Sequence, residues 1–259
     1  MLIGLKNYIK FGLPARVNML RNRSVKYQQW AQRSEQSNEE LRKYLGGTNL
    51  AKEQTVQWLM AEKLVQEPFS LLDVGCGPGV MRAVLNRHPL LGRNVIYTGI
   101  DQSEAAFKFA SEEFAGKGTF KIVDIQHDPL PQGPFDVVTI NAVVEHISGY
   151  EAIIDKCLAL KPKIFILTTF AVTHRLAKSR LRWNPGAVCF MNTYPFSAVF
   201  NHIRNQVAGP IFVANFGPGT HKPADYWFPY RGGTLFYCRM QADDLMMTVD
   251  PENPPTLNR

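Results

Sequence analysis

Long apolar runs are missing from this sequence. Nothing in its 259 residues approaches the ~20 consecutive apolar residues that a membrane-spanning helix needs. The longest run, IFILTTFAV at 164–172, is the length of a strand. The N-terminal stretch MLIGLKNYIKFGLPARV is interrupted by lysines and lacks the small-residue cleavage site of a secretory signal. A cytoplasmic location is therefore expected. Paired cysteines are missing as well. Cys76, Cys157, Cys189 and Cys238 stand far apart with no C-x-x-C, which argues against a zinc site or a disulfide framework and for reduced, buried thiols. Acidic residues are scarce at one end only, where residues 1–50 hold nine Lys/Arg against three Glu. Almost all of the net charge of +7 lies there. The rest of the chain is close to neutral, unlike a nucleic-acid-binding surface. No internal repeat is present.

Residues 1–30 hold six basic and no acidic side chains, interleaved with Leu2, Ile3, Leu5, Tyr8, Ile9, Phe11 and Leu13. Three readings stand: an amphipathic helix on an anionic membrane surface, a grip on a phosphorylated or nucleic-acid substrate, or a solvated, domain-capping helix. Residues 35–47 and 50–66 are predicted helical, separated by Gly46-Gly47. In the second, Val56, Leu59, Met60, Lys63 and Leu64 follow a 3.6-residue period, with the apolar positions on one face. Pro68 ends it.

From residue 69 short apolar strands alternate with helices. The predicted strands are 69–75, 95–101, 119–124, 135–141 and 163–170, with helices near 79–88, 103–115 and 150–160. Strands separated in this way imply βαβ units and a parallel sheet, and their near-continuous apolar character implies burial on both faces. After 171 the alternation breaks, and strands return at 210–216 and 233–240. In the break, Arg175, Lys178, Arg180 and Arg182 precede Trp183; they read either as a contact for an anionic or planar partner or as a solvated helix face. The expected organisation is a basic N-terminal helical arm or cap over 1–66, an α/β domain over 67–242 with lid segments at 171–232, and a disordered tail at 243–259.

The strongest signal is LLDVGCGPG at 71–79. An apolar strand ends in Asp73 and runs into Gly75, Gly77 and Gly79 before a helix. Glycine suits a sharp turn whose backbone a ligand must approach, and the C-terminal end of a strand is where doubly wound sheets bind ligands. A dinucleotide fingerprint, G-x-G-x-x-G, needs its third glycine one residue later, where this chain has Val80. That disfavours a nicotinamide enzyme. Asp101 ends the next strand, 22 residues past Gly79, placed for ribose hydroxyls. Asp124 ends the third strand, placed for an adenine amino group, with the N–H of Ile125 available to a ring nitrogen. Asn141 ends the fourth. Each acid alone is an ordinary turn residue; three strand ends in succession favour a nucleoside site.

DVGCGPG, GIDQS, KIVDI and FDVVTINAVVEHI resemble the successive motifs of class I S-adenosylmethionine-dependent methyltransferases, in order, over residues 69–170. The resemblance implies an α/β, doubly wound, Rossmann-like seven-stranded sheet, mostly parallel with an antiparallel C-terminal strand at 233–240. It also implies S-adenosylmethionine as cofactor. Asp73 and the loop Gly75, Cys76, Gly77 and Gly79 would face the methionine portion, with Asn141 beside the sulfonium. Asp101 would serve the ribose, and Asp124 and Ile125 the adenine, with Gln102 also counted among the cofactor-binding residues.

For chemistry, an acceptor hydroxyl or amine needs a nearby base. Glu145 and His146 follow the fourth strand, and His174 follows the fifth. The pair resembles the E-H of ubiquinone-biosynthesis O-methyltransferases and of RNA 3′-terminal 2′-O-methyltransferases. Those families place a further Glu three residues earlier, completing E-x-x-E-H, whereas this chain has Ala142; no metal is expected. Tyr194, His221, Asp225 and Trp227 come from the lid segments and suit a ring-bearing acceptor, or pack the lid onto the sheet. The expected activity is O-methylation of a small-molecule or glycan or lipid-linked acceptor, with membrane contact through residues 1–30. The alternatives are an RNA methyltransferase that uses the basic arm, and a non-catalytic binding protein on the same fold. The oligomeric state is not legible.

Overall fold

The structure, a computed structural model, describes residues 38–46, 49–147, 149–170, 172–173, 178–184, 187–216 and 233–240. Two helices come first, α1 (Asn38–Gly46) and α2 (Leu50–Met60), then a 3-10 turn at Lys63–Gln66. Next come β1 (Phe69–Val74), α3 (Val80–Asn86), α4 (Pro89–Asn94), β2 (Val95–Asp101), α5 (Glu104–Glu113) and β3 (Thr119–Ile122). After β4 (Val137–Asn141), a 3-10 turn at Val144–His146 leads to α6 (Tyr150–Leu158) and β5 (Ile164–Thr169). The remainder is β6 (Val172–Thr173), β7 (Lys178–Asn184), β8 (Ala187–Pro195), α7 (Phe196–Arg204), β9 (Ile211–Phe216) and β10 (Gly233–Arg239).

The main sheet has seven strands in the order β3-β2-β1-β4-β5-β10-β9. β1 to β5 run parallel, and β10 runs antiparallel to both β5 and β9. Side chains in a strand alternate between faces, so a run such as LL or VV must feed two cores. Leu71, Val137, Ile166 and Tyr237 enter one apolar layer with Met81 and Leu85 of α3. Their neighbours Leu72, Val138, Phe165 and Phe236 enter the other, with Ile153 and Ile154 of α6. Continuous apolar strands are thus what a sheet covered on both faces requires. The seven-stranded, mostly parallel sheet with an antiparallel strand at 233–239 agrees with the expected fold.

α2 packs onto the sheet itself. Trp58 lies 5.2 Å from the Tyr237 ring and 5.7 Å from Phe212. Its buried arc runs through Ala51, Thr55, Val56, Trp58 and Leu59, which leaves Met60, grouped with Val56 and Leu59 by period, half exposed. Just past the helix, buried Glu62 accepts hydrogen bonds from Tyr237 Oη (2.6 Å), Arg239 Nε (3.0 Å) and Arg239 Nη2 (2.9 Å). Removing one partner of a buried ion pair strands the other charge, at a cost of ~3–5 kcal/mol. Glu62→Ala is accordingly expected to lower unfolding free energy by about that amount in urea denaturation. A loss no larger than that of an exposed substitution would show that the Arg239 guanidinium finds water instead.

Between β5 and β9 the chain departs from expectation. A second, three-stranded sheet has the order β6-β8-β7, and α7 follows it. The stretch 178–184 is a strand, antiparallel to β8 from Lys178↔Thr193 to Asn184↔Ala187, so the helix-face reading of Lys178, Arg180 and Arg182 is corrected. The basic residues recur at every second position, with Leu181 between the last two and Trp183 just after them, which is the period of a strand. Residues 1–37 of the expected arm or cap over 1–66, and 241–259 with the expected tail, lie outside the described residues. Among the described residues no helix is long and apolar enough to cross a membrane.

Candidate functional site

A doubly wound sheet opens a crevice at its strands' C-terminal ends, where the strand order reverses. Here the chain winds outward from β1 to β3, then crosses back to place β4 on the other side of β1. The cleft at that point is floored by Gly75, Gly77 and Pro78. One wall is Asp101–Ser103 with Ala105 and Ala106, and another is Val123–Gln126. Ala142, Val143, His146 and Ile147 form the β4 side, and Leu41 of α1 reaches in from above.

The glycine loop is pinned by the N–H groups of Gly75 and Cys76, which both donate to Ile100 O (2.8 and 3.0 Å). Gly75 and Gly77 have φ of +73° and +55°, the left-handed region that L side chains rarely adopt. A Cβ on Gly75 would lie 2.3 Å from Val143 Cγ2, whereas one on Gly77 would meet no protein atom within 4 Å. The first glycine lets the floor close against the wall; the second leaves room for a ligand against the backbone. Gly79 lets Phe114 approach from behind, and the Cys76 thiol is buried beneath the loop, where burial and then the nearby Asp101 and Asp73 carboxylates push its pKa well up. It is an inert packing group.

Asp101 sits in the wall with its oxygens toward two turns. Oδ2 accepts Gly77 N–H (2.8 Å) and Oδ1 accepts Ser103 N–H (2.9 Å). Burial raises its pKa, while the Ser103, Gly77 and Gln102 N–H groups pull the other way. An ionised carboxylate accepts about four hydrogen bonds and the Gly77 and Ser103 N–H groups take two, so capacity remains for both ribose hydroxyls. In the next turn Asp124 Oδ1 accepts Gln126 N–H (3.0 Å), and Asp124 O accepts the N–H groups of His127 (3.0 Å) and Asp128 (2.7 Å). No acceptor among the described residues takes the N–H of Ile125. Ile125 lines the cleft, so this N–H is available to an acceptor on a bound ligand.

Asp73 and Asn141 lie beneath the floor and do not line the cleft. Asp73 stands in register with Gly99 and Thr139, so the hydroxyls beside it reach its carboxylate: Tyr97 Oη at 2.7 Å and Thr139 Oγ1 at 3.2 Å. Burial and the adjoining Asp73 raise the Tyr97 pKa well up, keeping the phenol a donor. Asn141 Nδ2 donates to Thr139 Oγ1 (2.6 Å), and its Oδ1 accepts from Thr168 Oγ1 (2.8 Å) with Thr55 Oγ1 at 3.0 Å. These two side chains, expected at the methionine portion and the sulfonium, tie β1, β2, β4, β5 and α2 together under the loop.

Glu145 and His146 separate. Glu145 is 1% exposed and accepts from Thr169 Oγ1 (3.0 Å), whereas His146 lines the cleft. The turn that carries His146 is braced by β8, where Asn192 Nδ2 (2.7 Å) and Tyr194 Oη (2.6 Å) both donate to Ile147 O. Tyr194, taken from the sequence as an acceptor contact, therefore holds this turn from outside the cleft wall. Ala142 has φ +56°, a left-handed strain of ~1–2 kcal/mol for a side-chain-bearing residue, and its N–H is held by Thr168 O (2.9 Å). His174, His221, Asp225 and Trp227 lie outside the described residues. Among the described residues no group of three or more His, Cys, Asp or Glu is placed to hold a metal ion. Sequence reasoning missed Leu41, Val143 and Gln126 as cleft residues; Val143 lies inside the motif FDVVTINAVVEHI, Gln126 directly follows KIVDI, and Leu41 has no local signal.

The cleft fits S-adenosylmethionine. It offers a glycine whose missing side chain leaves open space, an acid with spare acceptor capacity at the end of β2, and an unpartnered N–H beside an acid after β3. A family model described as a methyltransferase domain matches residues 67–217, more than half of the chain. The ubiquinone biosynthesis O-methyltransferase of Coxiella burnetii (strain Dugway 5J108-111) is 30% identical over 131 residues, covering 48% of this chain and 52% of that protein. That of Caulobacter vibrioides is 31% identical over 136 residues, with 46% and 50% covered. The chain thus spans about half the length of the curated relatives it matches.

Among solved structures, the N-terminal domain of EvdMO1 with SAH bound superposes with a TM-score of 0.56 at 15% identity, over 75% of this chain and 82% of that one. The magnesium protoporphyrin IX methyltransferase of Synechocystis PCC 6803 with bound SAM gives 0.52 at 17% identity, over 81% and 94%. At such identities the likeness is one of fold. With the family match over 67–217, the chain belongs to the methyltransferase-domain family of class I S-adenosylmethionine-dependent methyltransferases.

Proposed function

We propose that this chain transfers a methyl group to a hydroxyl of a small-molecule or glycan or lipid-linked acceptor. The observation that carries the reading is His146, an imidazole on the cleft wall at the β4 end, in a turn fixed by two hydrogen bonds from β8. S-adenosylmethionine supplies an electrophilic methyl group when bound. Gly75, Gly77 and Pro78 would support its amino-acid end, Asp101 its ribose, and Asp124 and Ile125 its base. His146 Nδ1 or Nε2 would take the proton that the acceptor hydroxyl loses as its oxygen displaces the thioether S-adenosylhomocysteine from the methyl carbon, a service worth roughly 10²–10⁴-fold in rate. Buried Glu145 holds the turn through Thr169 and does not reach the acceptor. Support for oxygen as the acceptor atom comes from the curated relatives of Coxiella and Caulobacter, whose names are those of O-methyltransferases. The near-neutral composition beyond residue 50 favours a small acceptor over nucleic acid.

A labelled-methyl screen across phenols, sugars, lipids and RNA tests this reading. Label on a hydroxyl of one of the first three is expected; label on RNA alone would contradict it. With the acceptor in hand, His146→Ala should lower kcat by about 10²–10⁴-fold and leave S-adenosylhomocysteine affinity nearly unchanged. An unaltered kcat would remove His146 from the reaction.

A further inference from the structure

The turn after β3 carries the cleft's base-facing wall, and it is held from outside the cleft by one cation. Lys156, in the last turn of α6, donates to three main-chain carbonyls: Ile125 O at 2.9 Å, Gln126 O at 3.3 Å and Asp128 O at 2.9 Å. An ammonium has three donors and no acceptor, so its hydrogen-bonding capacity is fully spent on this turn. Three carbonyl dipoles converging on one point repel each other unless a positive charge lies between them, and charge-assisted hydrogen bonds are about twice as strong as neutral ones. The rest of the turn is closed on itself. Asp124 N–H donates to Asp128 Oδ2 (2.9 Å), Gln126 N–H to Asp124 Oδ1 (3.0 Å), and the His127 and Asp128 N–H groups to Asp124 O (3.0 and 2.7 Å).

The Ile125 N–H alone of the amides from 124 to 128 has no acceptor among the described residues. Each peptide plane carries its N–H opposite its C=O, so drawing the Ile125 and Gln126 carbonyls toward Lys156 also fixes the planes on either side of residue 126. Val123, Asp124, Ile125 and Gln126 all line the cleft, whereas Lys156 does not touch it.

We propose that Lys156 is a positioning residue for base recognition: it holds the turn so that the Ile125 N–H and the Asp124 carboxylate together select an adenine over a purine with a 6-oxo group. The proposal rests on the S-adenosylmethionine reading of the cleft. An adenine ring presents an amino donor beside an acceptor nitrogen, complementary to a carboxylate and an N–H. A 6-oxo purine reverses both and leaves buried groups unpaired, which is why a site built on hydrogen bonds discriminates strongly. Loss of the cation lets the turn relax, and the discrimination falls with it.

The test is calorimetric binding of S-adenosylhomocysteine and its deaminated analogue S-inosylhomocysteine to wild-type protein, Lys156→Met and Lys156→Arg, with thermal melting as the folding control. Wild type is expected to prefer the adenosyl ligand by about tenfold or more. In folded Lys156→Met that preference should shrink toward equality. Lys156→Arg, which still donates to several carbonyls, should restore most of it. A Lys156→Met variant that weakens both ligands by the same factor, or neither, overturns the proposal. If Lys156→Met does not fold, Lys156→Gln carries the same comparison with an uncharged donor. Wild-type protein that binds neither ligand overturns the cofactor reading itself, and the proposal with it.

Discussion

Asp101→Ala is expected to weaken S-adenosylhomocysteine binding by about 100-fold or more. Two ribose hydroxyls left without their acceptor in the cleft each forfeit ~1–2 kcal/mol, and 1.4 kcal/mol is a factor of ten. The substitution also frees the Gly77 and Ser103 N–H groups that Asp101 holds at 2.8 and 2.9 Å, so the floor and the wall loosen together. The pH dependence follows from the direction of the Asp101 shift. Burial raises its pKa in the folded protein, so the free carboxyl takes up a proton at a higher pH than an ordinary Asp would. Its contribution to folding stability is therefore greatest when it is protonated and declines as pH rises from the usual Asp range through the raised value. Ligand binding runs the other way, because ribose hydroxyls donate to the charged form. Affinity should rise with pH through that window and level off above it, with a proton released on binding at its lower edge. Asp101→Asn should flatten the profile. Calorimetric titration from about pH 4 to pH 8 spans the range between an ordinary Asp and a strongly raised one; a pH-independent wild-type affinity would show that Asp101 does not meet the ribose.

Gly75→Ala and Gly77→Ala are expected to fail in different ways. At Gly75 the new methyl group would lie 2.3 Å from Val143 Cγ2 with φ at +73°. Overpacking of about 1–3 kcal/mol adds to left-handed strain of about 1–2 kcal/mol, so the variant should lose ~2–5 kcal/mol of stability in urea denaturation. Adding Val143→Ala should return the overlap part and leave the strain. At Gly77, with φ at +55° and no protein atom within 4 Å of the new Cβ, only the strain applies. The protein should stay folded while its ligand affinity falls, because the methyl group occupies cleft space. Equal destabilisation of the two variants would mean that the Val143 contact yields, and the account of the floor would need revision.

Much of this site could be read from local pattern. The central strands β1, β4, β5 and β10 are runs of apolar residues whose neighbours feed opposite cores, and Asp101 and Asp124 sit at or just past the ends of β2 and β3. What could not be read depends on partners distant along the chain. Asp73 and Asn141 have the residue types and strand ends of ligand-binding positions, yet Tyr97, Thr139 and Thr168 reach them first. Nothing near Glu62 announces Arg239, 177 residues away, nor does Lys156 announce a turn about 30 residues before it. Glu145 and His146 are adjacent in sequence, but a 3-10 turn sends one to the core and the other to the cleft. The 178–182 segment differs in kind: its basic residues alternate with the period of a strand, a signal that their charge alone does not carry.

The central claim is that the cleft between β1 and β4 binds an S-adenosyl cofactor, and titration of wild-type protein with S-adenosylhomocysteine in a calorimeter tests it directly. Saturable one-to-one binding, weakened in both Asp101→Ala and Gly77→Ala while each variant still melts cooperatively, is the predicted result. No heat from protein that melts cooperatively, or binding indifferent to both substitutions, would contradict it.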